Sequence, residues 1–355
     1  MTTGQLPVPN PPALAASPRS VRTSAVGSQS FWARSASSRV GRKALGIYLS
    51  NSKRIWNHLP SWTPRNLYRF YGRHLHAIAR LQADRRQYFA TFFLRNRPEL
   101  ELMRRLVSRS NISQMKLTVL ACSKGAEVYS IAWTLRKAFP GLDLRISAID
   151  ISQEIVEFAE KGVYTFADPK DQTNRSEDPT IKVNLNTGRD QNAWIFERVT
   201  KDELDAMFTV QGESAQIKQD LKDGIAWSSG DAGDPELPSS LGPQDIVVAN
   251  RFLCHMSPAD AAACLRNIAK MVKPGGYLFV SGIDLDVRTK VAAEMGWEPV
   301  QELLKEIHDG DDSIRRGWPV EYWGVEPLDD TRRDWQIRYA SVFRIGDKAA
   351  QPELI

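Results

Sequence analysis

The spacing of apolar positions divides the chain into a helical front part and a body of alternating strands and helices. Between residues 65 and 107, Leu67, Phe70 and Tyr71, then Leu75, Ile78 and Ala79, recur three and four apart, the interval that places side chains on one helix face. Pro60 and Pro64 mark the start of this segment and Pro98 is expected to interrupt it. It reads as a small helical cap over residues 61–112. Arg65, Arg69, Arg73 and Arg80 lie on its outer face, read either as a solvated face or as a docking face for substrate.

From residue 116 the period changes. Leu117 to Ala121 is short, apolar and β-branched, as a buried parallel strand should be. The turn Cys122-Ser123-Lys124-Gly125 leads into a helix from Ala126 to Phe139, stopped by Pro140-Gly141. A second strand, Leu144 to Ile149, ends at Asp150, and Ser152 is placed to cap the helix that follows. Residues 165–200 are polar and read as an inserted loop. Further on come a strand from Asp245 to Ala249, a helix from Pro258 to Val272, a Lys273-Pro274-Gly275-Gly276 turn and a strand from Tyr277 to Ser281. Strands alternating with helices predict an α/β domain, a doubly wound, mostly parallel sheet over residues 113–345.

Composition narrows the classes. With 355 residues, 42% of them hydrophobic, the chain has material for a packed core. No run approaches the roughly 18 apolar residues a membrane span needs, and no secretory leader is seen, so a cytoplasmic protein is expected. Cys122, Cys254 and Cys264 form no CxxC pair, which argues against both a zinc site and a disulfide framework. The net charge of +5 conceals a division. Residues 1–83 hold twelve Lys or Arg and no acid, while the remainder carries 35 bases against 42 acids. Residues 1–60, rich in Ser, Ala, Pro and Arg at the start, therefore read as a disordered basic arm, which suits an acidic protein surface, anionic lipid or nucleic acid. An organelle transit peptide has a similar composition.

Ligands of such sheets sit at the carboxyl ends of the strands, where strand order reverses. That edge would carry the turn 121–125, Asp150 and whatever follows Ala249. Asp150, twenty-five residues after Gly125, is placed to accept from two ribose hydroxyls. One glycine is weak evidence, since any tight strand-to-helix turn looks similar. Without a GKS or GKT run, a phosphate-binding ATPase loop is not expected.

The order of segments says more. ACSKGAEVYSIAWTL resembles the GCSxGEExYSIA cofactor motif of the chemotaxis receptor (CheR-type) methyltransferases. AIDISQEIVEFAEKGVY, IAWSSGDAGD, VVANRFLCHM and MVKPGGYLFVSG resemble that family's later segments in the same order, and Thr91-Phe92-Phe93-Leu94-Arg95-Asn96 is similar to its TxFFRD entry motif. The resemblance spans roughly residues 88–282. It implies a Rossmann-like class I methyltransferase using S-adenosylmethionine, with protein glutamate as the founding acceptor. Carried over, Thr91 and Arg95 approach the methionine part of the cofactor; Ala121, Cys122, Ser123 and Gly125 form its turn. Glu127 meets the amino group, Asp150 the ribose, and Asp231 and Ala232 the adenine. Asn250 and Arg251 stand at the family's Arg-Asn pair, in reversed order. Asp231 replaces an Asn, Ala126 a Glu, and His255 the tyrosine near the transferred methyl.

A carboxylate acceptor needs alignment and desolvation, whereas a histidine can serve as general base toward a hydroxyl or amine. His255 and Arg251 are therefore the candidate catalytic residues, with a packed or solvent-facing histidine as the plainer reading. Three functions follow: a protein-carboxylate methyltransferase, a small-molecule methyltransferase, and a cofactor-binding interaction protein without turnover. Nucleic-acid methylation would rest on the basic arm alone, without the Asn/Asp-Pro-Pro-aromatic tetrad of many base-amino methyltransferases. The aromatic stretch from Trp318 to Gly324, with Trp335 and Tyr339, reads as packing or as a lid over a hydrophobic acceptor.

Overall fold

The computed structural model describes residues 39–60, 62–82, 91–165, 195–310, 318–319 and 324–346; for 39–42, 65, 66, 69 and 80–82 it describes the backbone alone. Most of the arm, most of the insertion and residues 320–323 of the aromatic stretch lie outside these residues.

The strands are β1 (Gln114–Leu120), β2 (Asp143–Asp150), β3 (Val163–Thr165), β4 (Phe208–Gln211), β5 (Ser214–Ile217), β6 (Ile225–Ser229), β7 (Gln244–Val248), β8 (Val272–Phe279), β9 (Glu298–Pro299) and β10 (Val342–Arg344). Seven of them form one sheet in the order β6–β2–β1–β7–β8–β10–β9. Its pairings are parallel except where β10 meets β8 and β9. Buried runs such as Leu117, Val119 and Leu120 in β1 need apolar cover on both faces. One face is covered by Ala261, Leu265, Ile268, Val287 and Val291, the other by Leu102, Leu106, Val128, Ile131 and Leu135. This is the doubly wound sheet the periodicity predicts. From β1 the order runs outward through β2 to β6 and, on the other side, through β7 to β8, so the crevice between those two directions opens at the carboxyl ends of β1 and β7.

Four local expectations change. Within the stretch read as a disordered arm, residues Arg39–Asn57 form helix α1, which packs on α2 (Arg65–Gln82) through Leu45, Leu49, Leu75, Ile78 and Ala79. The basic, Ser-rich surroundings hid that narrow apolar stripe. Pro98 does not interrupt a helix but sits in the first turn of α3 (Arg97–Ser110), where its missing N–H has no intrahelical role. Lys273 to Gly276 bulge within β8 instead of preceding it: Val272 pairs with Gln244 and Tyr277 with Ile246. Finally, β3, β5 and β4 form a separate antiparallel sheet that the sequence reading did not foresee.

That small sheet anchors the entry segment. Phe93 is fully buried among Tyr164, Phe196 and Phe208, edge-to-face with the first and last and stacked on the second. Its N–H donates to the Ile195 carbonyl at 2.9 Å.

Candidate functional site

The crevice holds a cavity of about 310 Å³. Turns after β1, β6 and β7, the entry segment and two helix faces build it. The first turn follows β1. Ala121 and Ser123 adopt left-handed backbone angles, φ 51° and 50°, which cost a residue with a Cβ on the order of 1 kcal/mol each. Asp150, at the end of β2 and 4% exposed, holds the turn: Oδ2 accepts the Ser123 N–H at 2.8 Å and Oδ1 the Ser152 N–H at 3.1 Å. Burial pushes its carboxyl up and these N–H groups pull it back. Gly125, the residue before α4 (Ala126–Ala138), has φ 82° and does not line the cavity. A Cβ there would meet Trp227 at 3.0 Å and Ala159 at 3.1 Å, so its smallness serves helix packing.

Next comes the entry segment. Leu94, again left-handed, donates its N–H to Ser130 Oγ at 2.9 Å. The Arg95 guanidinium stacks over the Phe92 ring, 4.3 Å from its centroid. Asn96 caps α3 by accepting the Glu99 N–H and ties to the short helix Leu304–Asp309 through the Ile307 carbonyl.

In the turn after β7 one residue organises the rest. Asn250 Nδ2 donates to Glu99 Oε1 and to Glu127 Oε1, both at 2.8 Å. Its Oδ1 accepts from the N–H and the hydroxyl of Ser281, at 2.9 and 2.8 Å. An amide has two donor hydrogens and two lone pairs, so Asn250 is saturated by the protein. It acts as a clamp on two carboxylates. Burial raises the Glu127 carboxyl, opposed by the Asn250 amide and by the charges of Arg95 and Arg251. Arg251 is left-handed at φ 62° and donates its N–H to the Ser281 carbonyl at 2.9 Å. His255 ends a short 3-10 turn, Leu253–His255.

Of the thirteen residues singled out from sequence, Thr91, Arg95, Ala121, Cys122, Ser123, Glu127, Asp150, Asp231, Ala232, Asn250, Arg251 and His255 line this one cavity. Asp231 folds its own loop, Oδ1 accepting the Gly233 N–H at 2.8 Å, and the Ala232 carbonyl accepts from Asn267. Cys122 is a packed wall: burial and the nearby Asp150 charge drive its thiol far above the ordinary range. Glu99 was missed, since an acid early in a helix reads as a dipole partner. Its signal would have been an acid at the third residue of α3, turned toward the core at 7% exposure. The apolar wall of Phe92, Leu100, Met103, Phe252 and Met256 was missed as well. Neither Trp318, Trp335 nor Tyr339 reaches the cavity. Trp318 packs on Trp56 and Tyr68, and Tyr339 is in the core, so these three serve packing.

The lining carries Glu99, Glu127, Asp150 and Asp231 against Arg95 and Arg251. An acidic excess with apolar walls and a carboxylate at the end of β2 fits a cationic nucleoside such as S-adenosylmethionine. The comparisons agree on the class. Residues 90–176 match the model for the SAM-binding domain of the CheR methyltransferases, and residues 191–280 match a general methyltransferase domain. The chain thus carries an S-adenosylmethionine-dependent methyltransferase domain of Rossmann-like fold. Among curated proteins, a ubiquinone biosynthesis O-methyltransferase of Marinobacter nauticus is 37% identical over 79 residues, 22% of this chain and 32% of that protein. One of Aliivibrio fischeri is 35% identical over 72 residues, 20% of this chain and 30% of that protein. The chain spans about a third of the length of these relatives. Among solved structures, a putative S-adenosyl-L-methionine-dependent methyltransferase of Methanococcus maripaludis aligns with 16% identity and TM-score 0.31, over 73% of this chain and 88% of that one. The N-methyltransferase NodS of Bradyrhizobium japonicum, in complex with S-adenosyl-L-homocysteine, aligns with 16% identity and TM-score 0.30, over 58% and 76%.

Proposed function

We propose that the protein transfers a methyl group from S-adenosylmethionine to a hydroxyl oxygen of a small, partly apolar acceptor. The observation that carries this reading is His255, which lines the same cavity as Asp150, Arg95 and the Glu99–Asn250–Glu127 clamp. When bound, the cofactor supplies an electrophilic methyl on a sulfonium. The chain's own groups would do the rest. Asp150 would receive ribose hydroxyls, Arg95 the methionyl carboxylate as a two-pronged donor, and Glu127 the ammonium. Thr91, Ala121, Cys122 and Ser123 would line the cofactor, with Asp231 and Ala232 beside the adenine. The imidazole of His255 would take the acceptor's hydroxyl proton as the oxygen forms its bond to carbon, and Arg251 would orient the acceptor. Phe92, Leu100, Met103, Phe252 and Met256 would exclude water and hold the acceptor's apolar part. The curated relatives' names, O-methyltransferases, support an oxygen acceptor.

The second reading is a protein carboxylate as acceptor, favoured by the CheR match over residues 90–176. One experiment separates them. The full chain is incubated with methyl-labelled S-adenosylmethionine and either a panel of phenols and small alcohols or acidic bacterial proteins. Alkali-stable label on small molecules, with His255→Gln lowering kcat and flattening its rise with pH, is the expected result. Alkali-labile label on protein, indifferent to His255→Gln, overturns it in favour of a carboxyl ester. Cofactor binding with no label in either pool would leave a non-catalytic interaction protein.

A further inference from the structure

The helical hairpin of α1 and α2 presents an apolar and basic surface for which the cavity has no use. Its inner side is closed by Leu45, Leu49, Leu75, Ile78 and Ala79. Beyond those contacts Ile47, Ile55 and Leu67 are each 57% exposed, Phe70 73% and Trp62, in the connecting loop, 79%. Single exposed apolar residues are ordinary on a protein surface; five large ones within one short hairpin are not. On α1, Ile47 and Ile55 stand eight apart, within a quarter turn of each other, and on α2 Leu67 and Phe70 stand three apart, on adjacent rows. Between residues 39 and 82 there are nine Lys or Arg and no Asp or Glu, and Lys43, Lys53 and Arg54 are exposed.

We propose that this hairpin docks on an anionic lipid surface, with Trp62, Leu67 and Phe70 entering the boundary between headgroups and acyl chains and the exposed Lys43, Lys53 and Arg54 meeting lipid phosphates. Charge complementarity chooses the partner: an acid-free hairpin is attracted to a negative surface, while the acidic body beyond residue 83 is repelled, and this orients the molecule. The exposed aliphatic chains favour lipid over nucleic acid, whose bases offer stacking faces for aromatics but nothing for Ile47, Ile55 or Leu67. No helix among the described residues is long and apolar enough to cross a membrane, so the hairpin would lie on the surface. The proposal does not depend on which acceptor the cavity takes.

The test is co-sedimentation of the full chain with phosphatidylcholine vesicles, with and without phosphatidylglycerol, at low and high salt. Binding is expected on the anionic vesicles only, falling as salt rises. The triple variant Trp62→Ser, Leu67→Ser, Phe70→Ser should lower the partition coefficient on the order of tenfold or more. These side chains are exposed, so its circular dichroism and melting temperature should stay those of the parent. Equal binding to neutral vesicles, an unchanged partition for the folded triple variant, or retention by duplex DNA or an acidic protein with vesicles ignored would each overturn the proposal.

Discussion

Asn250→Leu tests the clamp at the centre of the cavity. Leucine keeps the branching of asparagine with bulkier, apolar ends, so the change removes the hydrogen bonds and opens no cavity. Four are lost: two from Nδ2 to Glu99 and Glu127, and two to Oδ1 from Ser281. Bonds to a charged acceptor contribute about 1.5–3 kcal/mol and neutral ones about 1 kcal/mol, so their sum, about 5–8 kcal/mol, is an upper bound. The acids can relieve themselves by binding protons, because burial already holds Glu127 above its ordinary value. We therefore expect a loss of about 3–5 kcal/mol near neutral pH. The pH dependence has a definite sign. A carboxyl whose pKa is raised on folding contributes stability that is complete below its unfolded value of 4.5 and is lost as pH rises through the folded value. Removing a hydrogen bond that lowers the pKa of Glu127 raises it further, so the variant's deficit must grow from pH 4.5 to pH 8. Urea unfolding followed by tryptophan fluorescence at both pH values measures it. A deficit below about 1 kcal/mol, or one that grows toward acid, would refute the clamp.

Four further outcomes follow from the same structure. Asp150→Ala should weaken S-adenosylhomocysteine by about 3–6 kcal/mol, the cost of two charge-assisted hydrogen bonds, and an unchanged Kd by calorimetry would remove Asp150 from the ribose site. Gly282→Ala places a Cβ 2.6 Å from Arg251 Cα at a residue with φ 59°, so it should cost about 2 kcal/mol or more and displace Arg251, seen as a lower Tm together with weaker cofactor binding. Lys124 is buried and its ammonium is pushed down to about 8, so its contribution is present above the unfolded value of 10.5 and lost as pH falls through about 8. Relative to Lys124→Met, the parent should gain stability between pH 7 and pH 10, and parallel melting curves across that range would contradict this. Ala121→Gly removes a left-handed alanine and adds backbone freedom to the unfolded chain, two effects of about 0.5–1 kcal/mol that oppose each other, so Tm should move little.

The sheet was legible because its evidence is local. A β-branched run such as Leu117 to Leu120, followed by a small-residue turn and a capped helix, carries its own signature. The hairpin was less so, since α1 buries only Leu45, Leu49 and Ser52 among its described side chains, too narrow a stripe to stand out among serines and arginines. The antiparallel sheet of β3, β5 and β4 has strands of three or four residues, below the length at which alternation can be recognised. The turn after β1 and Asp150 were legible from the strand ends, whereas Thr91, Arg95, Glu127, Asp231, Ala232, Asn250, Arg251 and His255 were reached only through the resemblance to the CheR-type motifs. What each contributes was not legible. Asn250 reads the same in sequence whether its amide faces a ligand or two carboxylates, and only the partners across the fold decide.

The departures from the CheR-type pattern are coupled through space. That pattern puts an arginine at position 250 and an asparagine at 251, and here the two are exchanged. An arginine at 250 could neutralise Glu127 directly, as a charge. Asparagine can only hydrogen-bond, and it spends both hydrogens on two separate acids, so the buried charge of Glu127 is left to Arg95 and to the displaced Arg251. Arg251 can take that part because its left-handed backbone lies against a residue without a Cβ, Gly282. The exchange therefore moves a cation along the cavity wall and leaves Glu99 as an additional acid beside the first. The wall thus keeps its acids bridged by one amide and its left-handed turns at Ala121, Ser123 and Arg251.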